Sequence, residues 1–170
     1  MVTQGGLVII SGTPGTGKSY VANILVKKLG FKHIDWHKLI KKNKKISLGY
    51  NHKKQCYDLD IKELSKEIKR IITKDPDNLF IFDSHIAHLL PKRMIYLAII
   101  TKCSDLKKLK KRLEERNYSK SKVKENLECE IFEVCYDEVI EKGLEVIVFD
   151  SSERILQKDV VDKIKKKLNL

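Results

Sequence analysis

A chain of 170 residues with 42% apolar and 34% charged side chains can bury a core of its own, but it holds one domain and excludes a multidomain or low-complexity architecture. It has no apolar run long enough to cross a bilayer and no basic-then-apolar leader, and Cys56, Cys103, Cys129 and Cys135 form no C-x-x-C pair; the expectation is a cytosolic or nuclear protein with no membrane contact, no zinc site and buried, reduced cysteines. The net charge of +12, from 35 basic against 23 acidic residues, leaves both a polyanionic partner and a merely solvated lysine-rich surface open.

The first element is the apolar run Leu7 to Ile10, the kind a parallel strand buried on both faces requires. Directly after it, Gly12-Thr13-Pro14-Gly15-Thr16-Gly17-Lys18-Ser19 fits G-x-x-x-x-G-K-[ST] at every fixed position. Apolar residues at helical spacing from Tyr20 to Leu29 predict a helix that Gly30 ends. A glycine-rich turn between a buried strand and a helix N-terminus makes a nest of inward N–H groups for a polyphosphate. Lys18 is expected to reach the β- and γ-phosphates of ATP and the Ser19 hydroxyl to hold Mg²⁺. A glycine-rich turn with an exposed lysine is the alternative, and the matching strand and helix argue against it.

The densest basic cluster follows, Lys38-Leu39-Ile40-Lys41-Lys42-Asn43-Lys44-Lys45, with Lys53 and Lys54 close behind. Ile61 to Ile72 reads as an amphipathic helix with Leu64, Ile68, Ile71 and Ile72 on one face, and Asp75 to Asn78 as a turn. Leu79 to Phe82 is a second buried run, ending in Asp83 at the carboxyl edge of the sheet, where ligands of open α/β folds bind. A carboxylate there serves Mg²⁺ in a phosphoryl-transfer site, or it caps the next turn. His85, two residues on, either orients a water or phosphate through its neutral ring or is a turn residue.

Met94 to Thr101 is the next strand, and a helix from Asp105 to Arg116 follows, with Ser104 as its expected cap. This helix carries Arg112 and Arg116 in a chain with only five arginines. Planar, permanently charged donors suit a transferring phosphoryl group better than lysine does, and surface pairing with Glu115 or Asp105 is the alternative. A single helical stretch then runs to about Gly143, Leu144 to Asp150 is the last strand, and a closing helix ends in Lys165-Lys166-Lys167. Five strands with intervening helices predict one α/β domain with a parallel sheet and right-handed crossovers.

Taken together, the phosphate loop, Gly49-Tyr50, Asp83-Ser84-His85, Pro91-Lys92-Arg93, Glu115-Arg116-Asn117-Tyr118 and above all Glu125 to Val134, ENLECEIFEV, resemble the adenylate kinase isoenzyme 6 family over nearly the whole chain. The resemblance implies a three-layer P-loop NTPase fold of the nucleoside monophosphate kinase type, with a central five-stranded parallel sheet. It implies a monophosphate-binding segment at about 33–60 and a lid at about 114–130. The activities implied are ATP + AMP to 2 ADP and Mg-ATP hydrolysis, in a protein expected to be monomeric. It further implies a role in maturing the small ribosomal subunit through a ribosomal protein, and the net charge of +12 would suit rRNA nearby. By position, Gly15, Thr16, Gly17, Lys18 and Ser19 would hold the ATP phosphates, with Arg112 and Arg116 on ATP. Asp83 and Ser19 would serve the metal, and His85 the attacking water. Lys41, Gly49, Tyr50 and Arg93 would hold AMP. The chain departs from the family's pattern at Asn51-His52-Lys53-Lys54-Gln55, where relatives carry an acidic stretch, and at Lys41, where arginine is common. The readings that remain are a dual kinase and ATPase in ribosome assembly, a purely metabolic monophosphate kinase, and a scaffold without turnover. The third is disfavoured by the presence of both the strand-end acid and the arginines, and a shikimate-type metabolite kinase by the absence of its substrate motifs.

Overall fold

A computed structural model describes residues 6–52 and 55–170; Lys53 and Lys54 of the basic cluster lie outside the described residues. The first strand, β1 (Leu7–Ser11), is buried along its whole length and lies at the centre of the sheet. Its alternation sends Leu7 and Ile9 to one face and Val8 and Ile10 to the other, so one apolar run feeds two cores. The remaining sheet strands are β2 (Lys32–His33), β5 (Phe80–Asp83), β6 (Ile95–Lys102) and β7 (Val146–Asp150), in the order β2-β5-β1-β6-β7, and all neighbouring pairs are parallel.

Helices cover both faces. On one, α1 (Lys18–Leu29) and α7 (Gln157–Leu168) pack Val21, Leu25, Val160 and Ile164 against Val8, Ile10, Ile81 and Ile99. On the other, α3 (Ile61–Lys74) and α6 (Val134–Glu141) pack Leu64, Ile68 and Val139 against Leu7, Ile9, Phe80 and Phe82. This is the expected three-layer P-loop fold with a five-stranded parallel sheet.

Three local expectations are corrected. First, α4 (Leu106–Glu114) is capped by Asp105, whose carboxylate accepts from the backbone N–H of Lys107 and Lys108, while Ser104 donates its own N–H to Asp150. Second, the stretch after Arg116 is two helices: α5 (Lys120–Ile131) stops at Phe132, and Glu133 turns left-handed at φ 48° before α6 begins. Third, beyond the short helix α2 (Trp36–Lys42), β3 (Ser47–Asn51) and β4 (Cys56–Leu59) form a separate antiparallel hairpin, which raises the strand count above five. Its side chains are too exposed to write an apolar pattern; Leu48, Tyr50 and Tyr57 all face solvent.

A small third core of Cys103, Leu109, Leu113 and Val123 joins α4 to α5. Cys103 is buried as expected, whereas Cys56, Cys129 and Cys135 are half-buried, and all four are free thiols. Among the described residues no helix is long and apolar enough to cross a membrane.

Candidate active site

The parallel register sets Ile10 beside Asp83 and Ser11 beside Ile100, so the turn after β1 emerges between the ends of β5 and β6. The turn can be built only with glycine at its start: Gly12 has φ 141°, and a Cβ there would lie 2.2 Å from the Thr101 carbonyl oxygen. Gly17 takes φ 97° as the N-cap of α1, which leaves the first N–H groups of that helix facing the cleft. Lys18 folds back over the loop and donates to the carbonyls of Gly12 at 2.7 Å and Thr13 at 3.0 Å. Burial, joined by repulsion from Arg116, lowers its ammonium pKa to about 8.

Asp83 sits at the end of β5 and accepts from the Ser19 hydroxyl through Oδ2 at 2.9 Å. Its other oxygen, Oδ1, lies 2.5 Å from His33 Nε2. Burial works against its charge, but the bonds from His33 and Ser19 prevail and hold the carboxyl below the usual range. His85 is an exposed residue by surface area, yet the ring stands against the cleft wall, and this desolvation with the charges of Lys18 and Lys122 pushes its pKa down to about 4. The ring is neutral near pH 7, able to donate at one nitrogen and accept at the other.

These groups line a cleft of about 590 Å³ that holds Gly15, Gly17, Lys18, Ser19, Asp83, His85 and Arg116. A second chamber of about 620 Å³ opens beside it, with Tyr50, Tyr57, Lys122 and Asn126 in its wall. Pro14, Trp36, His37, Ser84, His85 and Tyr118 line both. Both volumes suit ligands of nucleotide size. Trp36, Tyr57 and Tyr50 form a chain of edge contacts, with ring centroids 6.3 and 5.1 Å apart.

Several expected site residues stand elsewhere. The Thr16 hydroxyl is fully buried, bonded to the Thr13 carbonyl and to Thr101 Oγ1, and it does not line the cleft. The helix expected to run to Arg116 ends at Glu114, so Arg112 lies on α4 and Arg116 in the turn beyond it; the Arg112 guanidinium is turned behind the loop, donating to Gly15 O, Ser151 Oγ and Ser151 O. Arg112 therefore braces the loop, and Arg116 alone of the two faces the cleft. Lys41, exposed on α2, and Gly49 border neither chamber. Arg93 precedes β6, whose first residue pairs with Leu7, so it lies at the amino end of the sheet, opposite the phosphate loop.

The sequence reading missed His33, Trp36, Tyr118 and Lys122. His33 was hidden because β2 has only two residues, and its pairing with β5 is what brings it near Asp83. Lys122 is buried, donates to the Gln55 carbonyl at 2.7 Å and lies 4.1 Å above the Tyr118 ring. With the Ser119 N–H bonded to the Gln55 side chain, it ties the start of α5 to the hairpin.

Comparison with known proteins agrees with this architecture. A family model described as an AAA domain matches residues 8–133. A solved structure of deoxyadenosine kinase from M. mycoides with bound dATP superposes with a TM-score of 0.56 at 18% identity, covering 97% of this chain and 100% of that one. In sequence, the chain is 35% identical over 131 residues to the adenylate kinase isoenzyme 6 homolog of Dictyostelium discoideum, covering 77% of this chain and 72% of the relative. It is 33% identical over 143 residues to the homolog of Caenorhabditis elegans, covering 84% and 77% respectively. At that identity, over more than two thirds of both partners in each pair, the chain belongs to the adenylate kinase isoenzyme 6 family.

Proposed function

We propose that the protein is an adenylate kinase that transfers the γ-phosphoryl group of Mg-ATP to AMP and also hydrolyses ATP. The observation that carries this reading is the pair of joined chambers: a donor cleft on the phosphate loop opens directly into a second, aromatic-walled chamber of similar size. A scaffold that only bound nucleotide would have no use for the second chamber. The relatives named as adenylate kinases support AMP as its guest.

In this reading the N–H groups of the loop and the first turn of α1 hold the ATP phosphates, and Lys18 exchanges its two carbonyl partners for phosphate oxygens. The Ser19 hydroxyl and the Asp83 carboxylate, adjacent hard oxygen donors, fit a magnesium ion. Held there with the nucleotide, such an ion would supply charge neutralisation to the reacting phosphates. Arg116, on the lid segment 114–130, closes over the transferring group. The segment 33–60 carries the acceptor, with Tyr50, Tyr57 and Trp36 as base-stacking surfaces. Catalysis then comes from alignment and charge neutralisation without a covalent intermediate. Neutral His85, on the boundary of the two chambers, orients the water that attacks when AMP is absent.

We further propose that the protein works in the cytosol or nucleus as a monomer in small-subunit maturation, through a ribosomal protein with rRNA nearby. The family resemblance and the net charge of +12 support this, and a metabolic kinase without that role is the alternative. Two measurements test the readings. Incubation with Mg-ATP and AMP should yield two ADP for each AMP consumed, and ADP plus phosphate when AMP is omitted; no AMP-dependent ADP would overturn the kinase reading. Capture from the native lysate, with and without a non-hydrolysable ATP analogue, should recover a small-subunit ribosomal protein. Recovery of none leaves the metabolic kinase.

A further inference from the structure

We propose that His33 is a direct ligand of the divalent cation that accompanies ATP, and that its nitrogen tilts the site from Mg²⁺ toward transition-metal ions such as Mn²⁺ and Co²⁺. The inference rests on the kinase reading above. The two-residue strand β2 pairs His33 with Ile81, so the imidazole stands at the sheet edge beside the end of β5. There three donors of different chemistry converge: the Ser19 hydroxyl, 2.9 Å from Asp83 Oδ2; the Asp83 carboxylate; and His33 Nε2, 2.5 Å from Asp83 Oδ1. His33 and Asp35 both line the donor cleft.

The His33 side chain is 41% exposed, and Asp83 is already fixed by the backbone of β5 and by Ser19. A cation bound to both Nε2 and Oδ1 at ligand distances of about 2.0–2.2 Å needs those atoms roughly 3 Å apart. A swing of about half an ångström in an exposed ring supplies that spacing. Oxygen donors and water suit Mg²⁺, which gives up its waters reluctantly, whereas an imidazole nitrogen adds affinity for first-row transition metals in the Irving–Williams order. Ser19 and Asp83 alone make a magnesium site; His33 makes it a mixed nitrogen–oxygen one.

Pulsed electron paramagnetic resonance of Mn²⁺ with a methylene-bridged ATP analogue and uniformly ¹⁵N-labelled protein tests this without turnover. The expected spectrum has ³¹P coupling from the nucleotide and the ¹⁵N coupling of a directly bonded nitrogen, and His33→Gln should lose the second while keeping the first. Phosphorus coupling without directly bonded ¹⁵N, or a ¹⁵N coupling that survives His33→Gln, would overturn the proposal and leave the kinase reading standing. Absence of ³¹P coupling in the unaltered protein would overturn both. In competition titrations with the same analogue, His33→Gln should lower the Mn²⁺-over-Mg²⁺ affinity ratio by about tenfold, the scale on which loss of one group around a metal acts. An unchanged ratio counts against ligation.

Discussion

On the donor side of the cleft Lys18 and Ser19 both have partners, whereas across it the hairpin wall is aromatic surface turned to water, with Tyr50 and Tyr57 45% and 43% exposed. The donor side hangs on β1, whose neighbours on both sides fix its register, so the loop is shaped as the core forms. The acceptor side hangs on a two-stranded hairpin joined to α5 through Gln55. An isolated hairpin is marginally stable in water, so more of its order comes from ligand and lid. The difference predicts that changes on the donor side act on turnover and changes on the acceptor side act on affinity for AMP.

The strongest way to break that division is Lys18→Ala. Lys18 bonds only to loop carbonyls, so the variant should fold and melt within a few degrees of the unaltered protein. Transfer and hydrolysis should both fall by about a hundredfold or more, since the loss is in positioned charge on the reacting phosphates. If turnover stays above about a tenth of normal, the donor side does not depend on its loop as argued. The free enzyme adds a pH signature. Lys18 is lowered to about 8, so its charge is complete below that value and is lost as pH rises through it, and kcat/KM for ATP should decline above about pH 8.

Next in size is Arg116→Lys, which keeps the charge but not the planar fork. ATP affinity should stay nearly normal, while kcat falls about tenfold, on the order of 1.4 kcal/mol of transition-state stabilisation. Nucleotide titration and steady-state kinetics on one preparation separate the two. An unchanged kcat would remove Arg116 from the reaction, and Arg112 could not replace it without releasing Gly15 and Ser151.

The two regions also differ in how far the sequence reveals them. The loop is legible because its backbone admits few residue types: the Gly12 position excludes any Cβ, and the run that ends in Asp83 is apolar because both faces of β5 are covered. The hairpin is not, since its pairing depends on cross-strand contacts such as Tyr50 with Tyr57 that leave no apolar period. The sequence pattern puts Arg112 and Arg116 on one helix, but α4 ends at Glu114, so Arg112 stays docked against Gly15 and Ser151 while Arg116 sits in the following turn and faces the cleft. A motif does not say at which end of a strand it falls, which is why Arg93 reads as a site residue, and the place of His33 beside Asp83 depends on the strand order.

His85→Ala probes the boundary between the regions. If neutral His85 orients water, hydrolysis should fall about five- to tenfold and transfer to AMP less than about twofold, because AMP is held by its own chamber. With its pKa lowered to about 4, the His85 ring is neutral throughout pH 5.5–7.5, so His85 itself should contribute no limb to the hydrolysis profile there. Equal losses in both assays would mean that His85 serves the phosphates and not the water.

The smallest expected effect sharpens the comparison from the acceptor side. Lys122 is buried, and its ammonium has one carbonyl partner, Gln55, and one aromatic face, Tyr118. Lys122→Met keeps the length and apolar stem while removing the charged donor, so α5 should keep its packing and lose its tie to the hairpin. Loss of one intramolecular hydrogen bond costs about 1 kcal/mol, so KM for AMP should rise about threefold to tenfold, with kcat changed by less than about twofold. Amide exchange should quicken at Gln55 and Cys56 before it does so in β1, since the hairpin lacks the sheet's two-sided cover. A variant with unchanged KM and faster exchange would show that AMP orders the hairpin without help from the lid. A fall in kcat with KM intact would move Lys122 to the donor side and break the division itself.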